Sequence, residues 1–198
     1  MNFRQFDELI HSGEDKMVLD SDVIMGNGED EKYLMGIDLD IDGIVIDGAG
    51  HVIDVGWKSA IFNVTCNATV KNATIKSGYS HDEDAYAIMN SADLSFFGCT
   101  LKDNPTAIMG EGSLKVTGCK FTDFVRRYND ALYNDKGNLA ADGCSFIDEK
   151  VGWSPHGQAI INNGYLKLVN SYFKMNPVDE GPVYSRGDMD VEDCTFDE

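Results

Sequence analysis

The sequence predicts an all-β fold, a single-stranded parallel β-helix with three short strands per coil and an N-terminal capping α-helix. Three observations predict it. The first is repetition. "AIMNSADLSFFGCTLKDN" (87–104), "AIMGEGSLKVTGCKFTDF" (107–124), "ALYNDKGNLAADGCSFIDE" (131–149), "AIINNGYLKLVNSYFKMN" (159–176) and "PVYSRGDMDVEDCTFDE" (182–198) are near-copies of one another. The second is alternation: Val70, Phe96, Val116, Ala141, Leu168 and Val191 each stand two residues after Ala68, Leu94, Leu114, Leu139, Leu166 and Met189, the period of a strand with one buried face. The third is punctuation. Asn72, Gly98, Gly118, Gly143, Asn170 and Asp193, residue types that tolerate positive φ, precede a column of small residues, Ala73, Cys99, Cys119, Cys144, Ser171 and Cys194.

The elements follow in chain order. "FRQFDELIHSG" (3–13) places Phe3, Phe6, Leu9 and Ile10 on one helical face with Gly13 as a stop, which predicts a short plug for an open solenoid end. Residues 14–58 supply irregular first coils, and residues 59–198 supply the regular ones, all within a single domain of 1–198. In each regular coil the first strand carries Ile61, Ile88, Ile108, Leu132, Ile160 or Val183. Two residues on stands Asn63, Asn90, Gly110, Asn134, Asn162 or Ser185. After the bend a third strand carries Ile75, Leu101, Phe121, Phe146, Phe173 or Phe196. Copies start every 20 to 28 residues and differ mainly in the turn that follows this third strand. Stacked coils with one turn free to vary fit that pattern. A leucine-rich repeat has a similar period but wants an L-x-x-L-x-L-x-x-N frame, which the copies lack. "GDMDVEDCTFDE" closes on the Phe column with no covering segment, so the last coil's edge is either guarded by its acids or meets further coils or another copy.

Composition narrows the partners. The chain carries 34 Asp and Glu against 16 Lys and Arg, a formal charge of −18, which repels phosphate backbones and anionic lipid. Nucleic acid is therefore not an expected partner. No apolar run approaches the roughly 20 residues of a membrane helix, so membrane insertion is not expected either, and the first residues lack a signal core. The five cysteines have no C-x-x-C spacing, and four of them fall in or near the small-residue column. Free, buried thiols are expected there, because in-register side chains do not point toward each other as a disulfide requires.

"IDGIVIDGAGHVIDV", "IFNVTCNATVKNATIKSG" and the later A-I-x-N and L-x-V-x-G-C-x-F coils resemble the right-handed parallel β-helix proteins of the pectate-lyase-like superfold. Within it they are most similar to adhesin-like surface proteins of methanogenic archaea. The resemblance implies a right-handed coil, an extracellular or cell-surface setting, and a non-catalytic module binding glycan or protein. The chain shows neither secretion signal nor anchor, as a fragment of a longer protein would.

Candidate sites follow from the columns. If Ile61, Ile88 and Ile108 point inward, the next residue points out, giving an apolar stripe of Phe62, Met89, Met109, Tyr133, Ile161 and Tyr184 as the expected ligand-binding face. That stripe holds no acid or base, so no catalytic residue is expected on it. An enzyme, either a lyase or a hydrolase of acidic polysaccharide, would draw on the variable turns. There Arg126, Arg127, Tyr128, Lys150, Trp153 and His156 form a basic and aromatic group, and "HDED" (81–84) offers carboxylates to calcium. No other cofactor and no metal centre is expected. "DLDIDG" (38–43) begins like a calcium loop, but Ala49 stands where that loop needs a bidentate Glu, and alternation through Ile37, Leu39 and Ile41 reads as a strand. Three N-x-T sequons (Asn63, Asn67, Asn72) suit an exported protein but also suit β-helix turns, and His51 reads as structural. A purely structural spacer is the third reading.

Overall fold

A computed structural model describes residues 1–29, 32–79, 86–124, 130–148, 158–175 and 181–197. Its strands, all parallel, wind into a right-handed three-sided solenoid. Each copy supplies a leading, a middle and a trailing strand, for example Tyr86–Asn90, Leu94–Phe97 and Thr100–Lys102. The leading sheet runs from Ile37–Leu39 to Val183–Ser185, the middle sheet from Lys16–Val18 to Met189–Glu192, and the trailing sheet from Val23–Ile24 to Thr195–Asp197. Residues 14–58 therefore already contribute strands to all three sheets. Their irregularity lies in the turns: the one between Asp47 and Val52 is two residues longer than its counterpart between Lys71 and Thr74.

Register carries the core. Ile53, Ile75, Leu101, Phe121, Phe146, Phe173 and Phe196 form one column of the trailing sheet. Its aromatic rings stack face to face, with centroids 4.7, 4.7 and 4.8 Å apart from Phe121 to Phe196. The middle sheet buries Leu94, Leu114, Leu139 and Leu166 in one column and Phe96, Val116, Ala141 and Leu168 in the next. In the last coil Met189, Val191 and Phe196 remain 44–48 % exposed.

The bend before the small-residue column is a single left-handed residue. Asn72, Gly98, Gly118, Gly143, Asn170 and Asp193 have φ between 49° and 61°. The carbonyl before each left-handed residue stays in the ladder between coils, and from Cys99 onward the small residue that follows adds a second donor to it. The Cys99, Cys119, Cys144 and Cys194 thiols each donate to the carbonyl two residues back, at 3.4–3.6 Å, and the Ser171 hydroxyl does the same at 2.9 Å. Small weak donors suit this corner because larger side chains would not fit beside the neighbouring coil. All five cysteines are free; Cys99, Cys119 and Cys144 are buried, whereas Cys194 and Cys66 are partly exposed.

The turn from leading to middle strand depends on a second polar column. Asn90, Asn134 and Asn162 donate to turn carbonyls of Ser113, Gly137 and Gly164 at 2.9–3.0 Å, which pegs the chain reversal. Beside them Gly112, Gly137, Gly164 and Gly187 stack so closely that a Cβ on any of them would lie 1.8–2.3 Å from the carbonyl oxygen of the coil before.

One sequence expectation fails here. Phe62, not Ile61, pairs with Ile88, so Asn63 falls opposite Met89 and Val64 opposite Asn90. This coil is shifted by one residue because Phe62 and Val64, both fully buried, flank the polar Asn63, and Phe62 also meets Phe6 of the cap at 6.0 Å. Phe62 is a core residue and leaves the candidate stripe.

The cap is helix α1 (Phe3–Ile10), with Asn2 and Gln5 forming a reciprocal capping box. Phe3, Phe6 and Ile10 are completely buried against the first coils, each burial contributing about 1.5–3 kcal/mol. The Glu29 carboxylate accepts from the Arg4 and Gly26 amides, tying the helix start to a later turn. At the other end Asp7 accepts from Tyr33 at 2.7 Å and Lys32 at 3.0 Å, and His11 bridges Asp7 at 2.9 Å and Asp40 at 3.2 Å. Burial alone would lower the His11 pKa, but the Asp7 carbonyl and the two carboxylates outweigh it and hold it above the ordinary 6.5. Burial likewise works against ionised Asp7, yet Tyr33 and Lys32 bring it below 3.8.

Two predictions follow from packing and charge. Gly137→Ala, whose Cβ would sit 2.1 Å from the Gly112 oxygen, should cost more than about 4 kcal/mol in urea unfolding. Gly118→Ala, left-handed but facing open space, should cost only about 1–2 kcal/mol; equal losses would mean the glycine stack is not a close contact. The raised His11 contributes stability that is complete below pH 6.5 and disappears as pH rises through its folded value. A His11→Gln variant should therefore show a shallower decline in melting temperature above about pH 6.5 than the parent, with the part due to Asp130 remaining.

Candidate functional site

The leading sheet presents its outer face through one column. By register it runs Asp38, Asn63, Met89, Met109, Tyr133, Ile161 and Tyr184. The inward neighbours Ile88, Ile108, Leu132 and Ile160 are buried to within 1 %. That anchoring leaves the five apolar outer residues half-exposed on rigid backbone. The column is not free of ionisable groups as the sequence suggested, because the corrected register adds exposed Asp38, which accepts from Asn63 Nδ2 at 2.7 Å.

Polar groups on the following turns flank the stripe and fix its rings. Asn163 Nδ2 donates to the Tyr133 hydroxyl at 3.3 Å. Arg186 Nε donates to the Tyr184 hydroxyl at 3.0 Å, and its guanidinium lies 5.5 Å from the ring centroid. Lys136 pairs with Glu111 and Asp135 on the turns that follow Met109 and Tyr133. An apolar and aromatic strip edged by amide, carboxylate and cationic groups can stack flat apolar faces and hydrogen-bond their rims.

A second row escaped the sequence reading. Tyr86 and Thr106 are register partners, and Asp130 and Gln158 occupy the same place two residues before Leu132 and Ile160. All four are at most 8 % exposed. Asp130 accepts from the Gln158 amide at 3.1 Å. Burial drives its pKa up to about 7, and that one N–H offsets only part of the shift. A carboxyl in that range can give or take a proton near neutrality. The signal was present as a polar or aromatic residue before each "A-I" or "A-L", but it lies where the copies change length and reads as loop.

The loop group of Arg126, Arg127, Tyr128, Lys150, Trp153 and His156 lies outside the described residues, as does 81–84. Among the described residues no three of His, Cys, Asp and Glu gather as metal ligands, and no helix is long and apolar enough to cross a membrane. Burial works against the thiolate at Cys99, Cys119 and Cys144 alike. His51 pairs with Asp22 at 3.2 Å in a turn between coils, and Ile37–Leu39 is a strand. Comparison of the chain with protein-family models, curated proteins and solved structures gives no match.

Asp130 generates a test of sign. Its folded pKa lies above the unfolded 3.8, so the protonated carboxyl is fully compatible with the fold below about pH 4, and stability is lost as pH rises through about 7. Asp130→Asn keeps the acceptor and removes the charge. It should raise stability at pH 8 by on the order of 2 kcal/mol and leave it unchanged at pH 3.5, measured by denaturant unfolding at both values.

Proposed function

We propose that this protein is a non-catalytic binding module, the helix-capped part of an adhesin-like surface protein of the pectate-lyase-like type. It holds a glycan or a partner protein along the outer face of its leading sheet, in an extracellular setting. The observation that carries this reading is the continuous half-buried column of Met89, Met109, Tyr133, Ile161 and Tyr184, the first four on buried inner neighbours. From Met89 to Ile161 the strands are hydrogen-bonded on both sides and cannot shift without breaking the coils above and below, so that part of the stripe is preorganised and binding it orders little. Tyr133 and Tyr184 supply flat faces whose hydroxyls are held by Asn163 and Arg186, which favours sugar rings over an irregular protein surface. With a formal charge of −18, the chain favours uncharged or cationic ligands.

One observation favours a second reading, an acid–base enzyme: the buried Asp130 carboxyl with a pKa of about 7, beside variable turns that carry Arg126, Arg127, Lys150 and His156 in the sequence. A lyase or hydrolase of acidic polysaccharide would use it with those residues.

Binding to a glycan array in the presence of calcium, run beside an absorbance assay for unsaturated sugars released from uronate polymers, separates the readings. The binding module predicts a hit without turnover. Tyr133→Ala and Tyr184→Ala should then each weaken binding about tenfold. Their unfolding midpoints should stay within about 0.5 kcal/mol of the parent, since both rings are half-exposed. Turnover lost in Arg127→Ala or Asp130→Asn would replace this reading with the enzyme, and unchanged binding in both tyrosine variants would leave a spacer.

A further inference from the structure

The polar column behind the leading sheet contains one rung without a side chain. In register it reads Leu39, Val64, Asn90, Gly110, Asn134, Asn162 and Ser185. Below the gap the rungs are linked head to tail: Asn134 Nδ2 donates to Asn162 Oδ1 at 2.6 Å, and Asn162 Nδ2 donates to Ser185 Oγ at 2.9 Å. Gly110 cannot carry a side chain, because a Cβ there would lie 1.9 Å from the Asn90 carbonyl oxygen. The rung instead encloses a cavity of about 10 Å³, walled by Asn90, Gly110, Leu114, Leu132, Asn134 and Leu139.

Asn134 is only 5 % exposed, and its amide nitrogen spends its hydrogen bonds on Gly137, Asn162 and Tyr165. The amide oxygen, across the carbon from that nitrogen, faces the Gly110 rung. No donor among the described residues reaches it. On the far side Asn90 Nδ2 points toward this coil, donating to the Ser113 carbonyl at 3.0 Å, and keeps a second N–H. We propose that a single tightly held water molecule fills this rung. It accepts from Asn90 Nδ2 and donates to Asn134 Oδ1, and so carries the amide ladder head to tail across the coil where an asparagine cannot stand. The volume matches one water, and two polar partners on opposite walls meet the minimum for a buried one. A lone side-chain oxygen is too few for a bound alkaline-earth cation, and an apolar occupant would leave the Asn134 oxygen without a donor.

The test uses the intact protein in water. Water cross-peaks in rotating-frame exchange spectra should appear at the Gly110 α-protons and the Asn134 side-chain amide, with the sign of a molecule that tumbles with the protein. Oxygen-17 relaxation dispersion should count one long-lived water fewer in Asn134→Leu than in the parent. Absence of a bound-water cross-peak at Gly110 in the parent would overturn the proposal even if Asn134→Leu failed to fold. An unchanged water count in a folded Asn134→Leu would overturn it as well.

Discussion

The hydrogen bond between parallel strands sets the distance from coil to coil, and every other feature of the molecule accommodates to it. Phe121, Phe146 and Phe173 stack at 4.7 Å because their backbones are ladder-bonded at that spacing, which is also near the contact distance of aromatic faces. A residue that fits its column in one coil is therefore placed against its own kind in the next. One coil alone could bury almost nothing; several in register bury a continuous core.

The same constraint governs the polar interior. The corner recurs in every coil, and from Cys99 onward its Cys or Ser adds a second donor to a carbonyl that the inter-coil ladder already serves. The asparagine column pegs every leading-to-middle turn in the same way, and the glycines beside it exist because two backbones must pass within contact distance at each level. Where the repetition starts, this logic stops: Leu39 and Val64 occupy the column that Asn90 begins, and α1 replaces a preceding coil. Cap contacts are made instead by singular residues, Glu29, Lys32, Tyr33 and Asp40, chosen for one place only.

What could be read in the sequence was what repeats. The columns through Phe96, Cys99, Leu101 and Ile108, and the left-handed bend before the thiols, all fall where periodicity and small or turn-forming residues put them. Phe62 was misplaced because "A-I-F-N" matches "A-I-M-N" letter by letter, while the burial of Phe62 and Val64 around Asn63 demands the register one residue on. The Asp130 row was missed because it borders the turn whose length varies, where alignment loses its footing. The clamp on the cap had no sequence signal at all, since Asp7 finds Lys32 and Tyr33 across some 25 residues of non-repeating chain. Of the candidate site, the aromatic part of the stripe was legible from alternation, and the charge of Asp38 at its head was not.

The buried thiols have a further consequence. Cys99, Cys119 and Cys144 sit in three successive coils at the same corner, so each coil carries its own chemical clock. A thiol reagent can reach each one only when that coil opens, and the rate of alkylation, residue by residue, reads the breathing of the solenoid along its axis without any introduced probe. The arrangement is also a hazard. Once two neighbouring coils loosen together under oxidising conditions, thiols that could not face each other in register become free to join, and that bond would keep the corner from closing again.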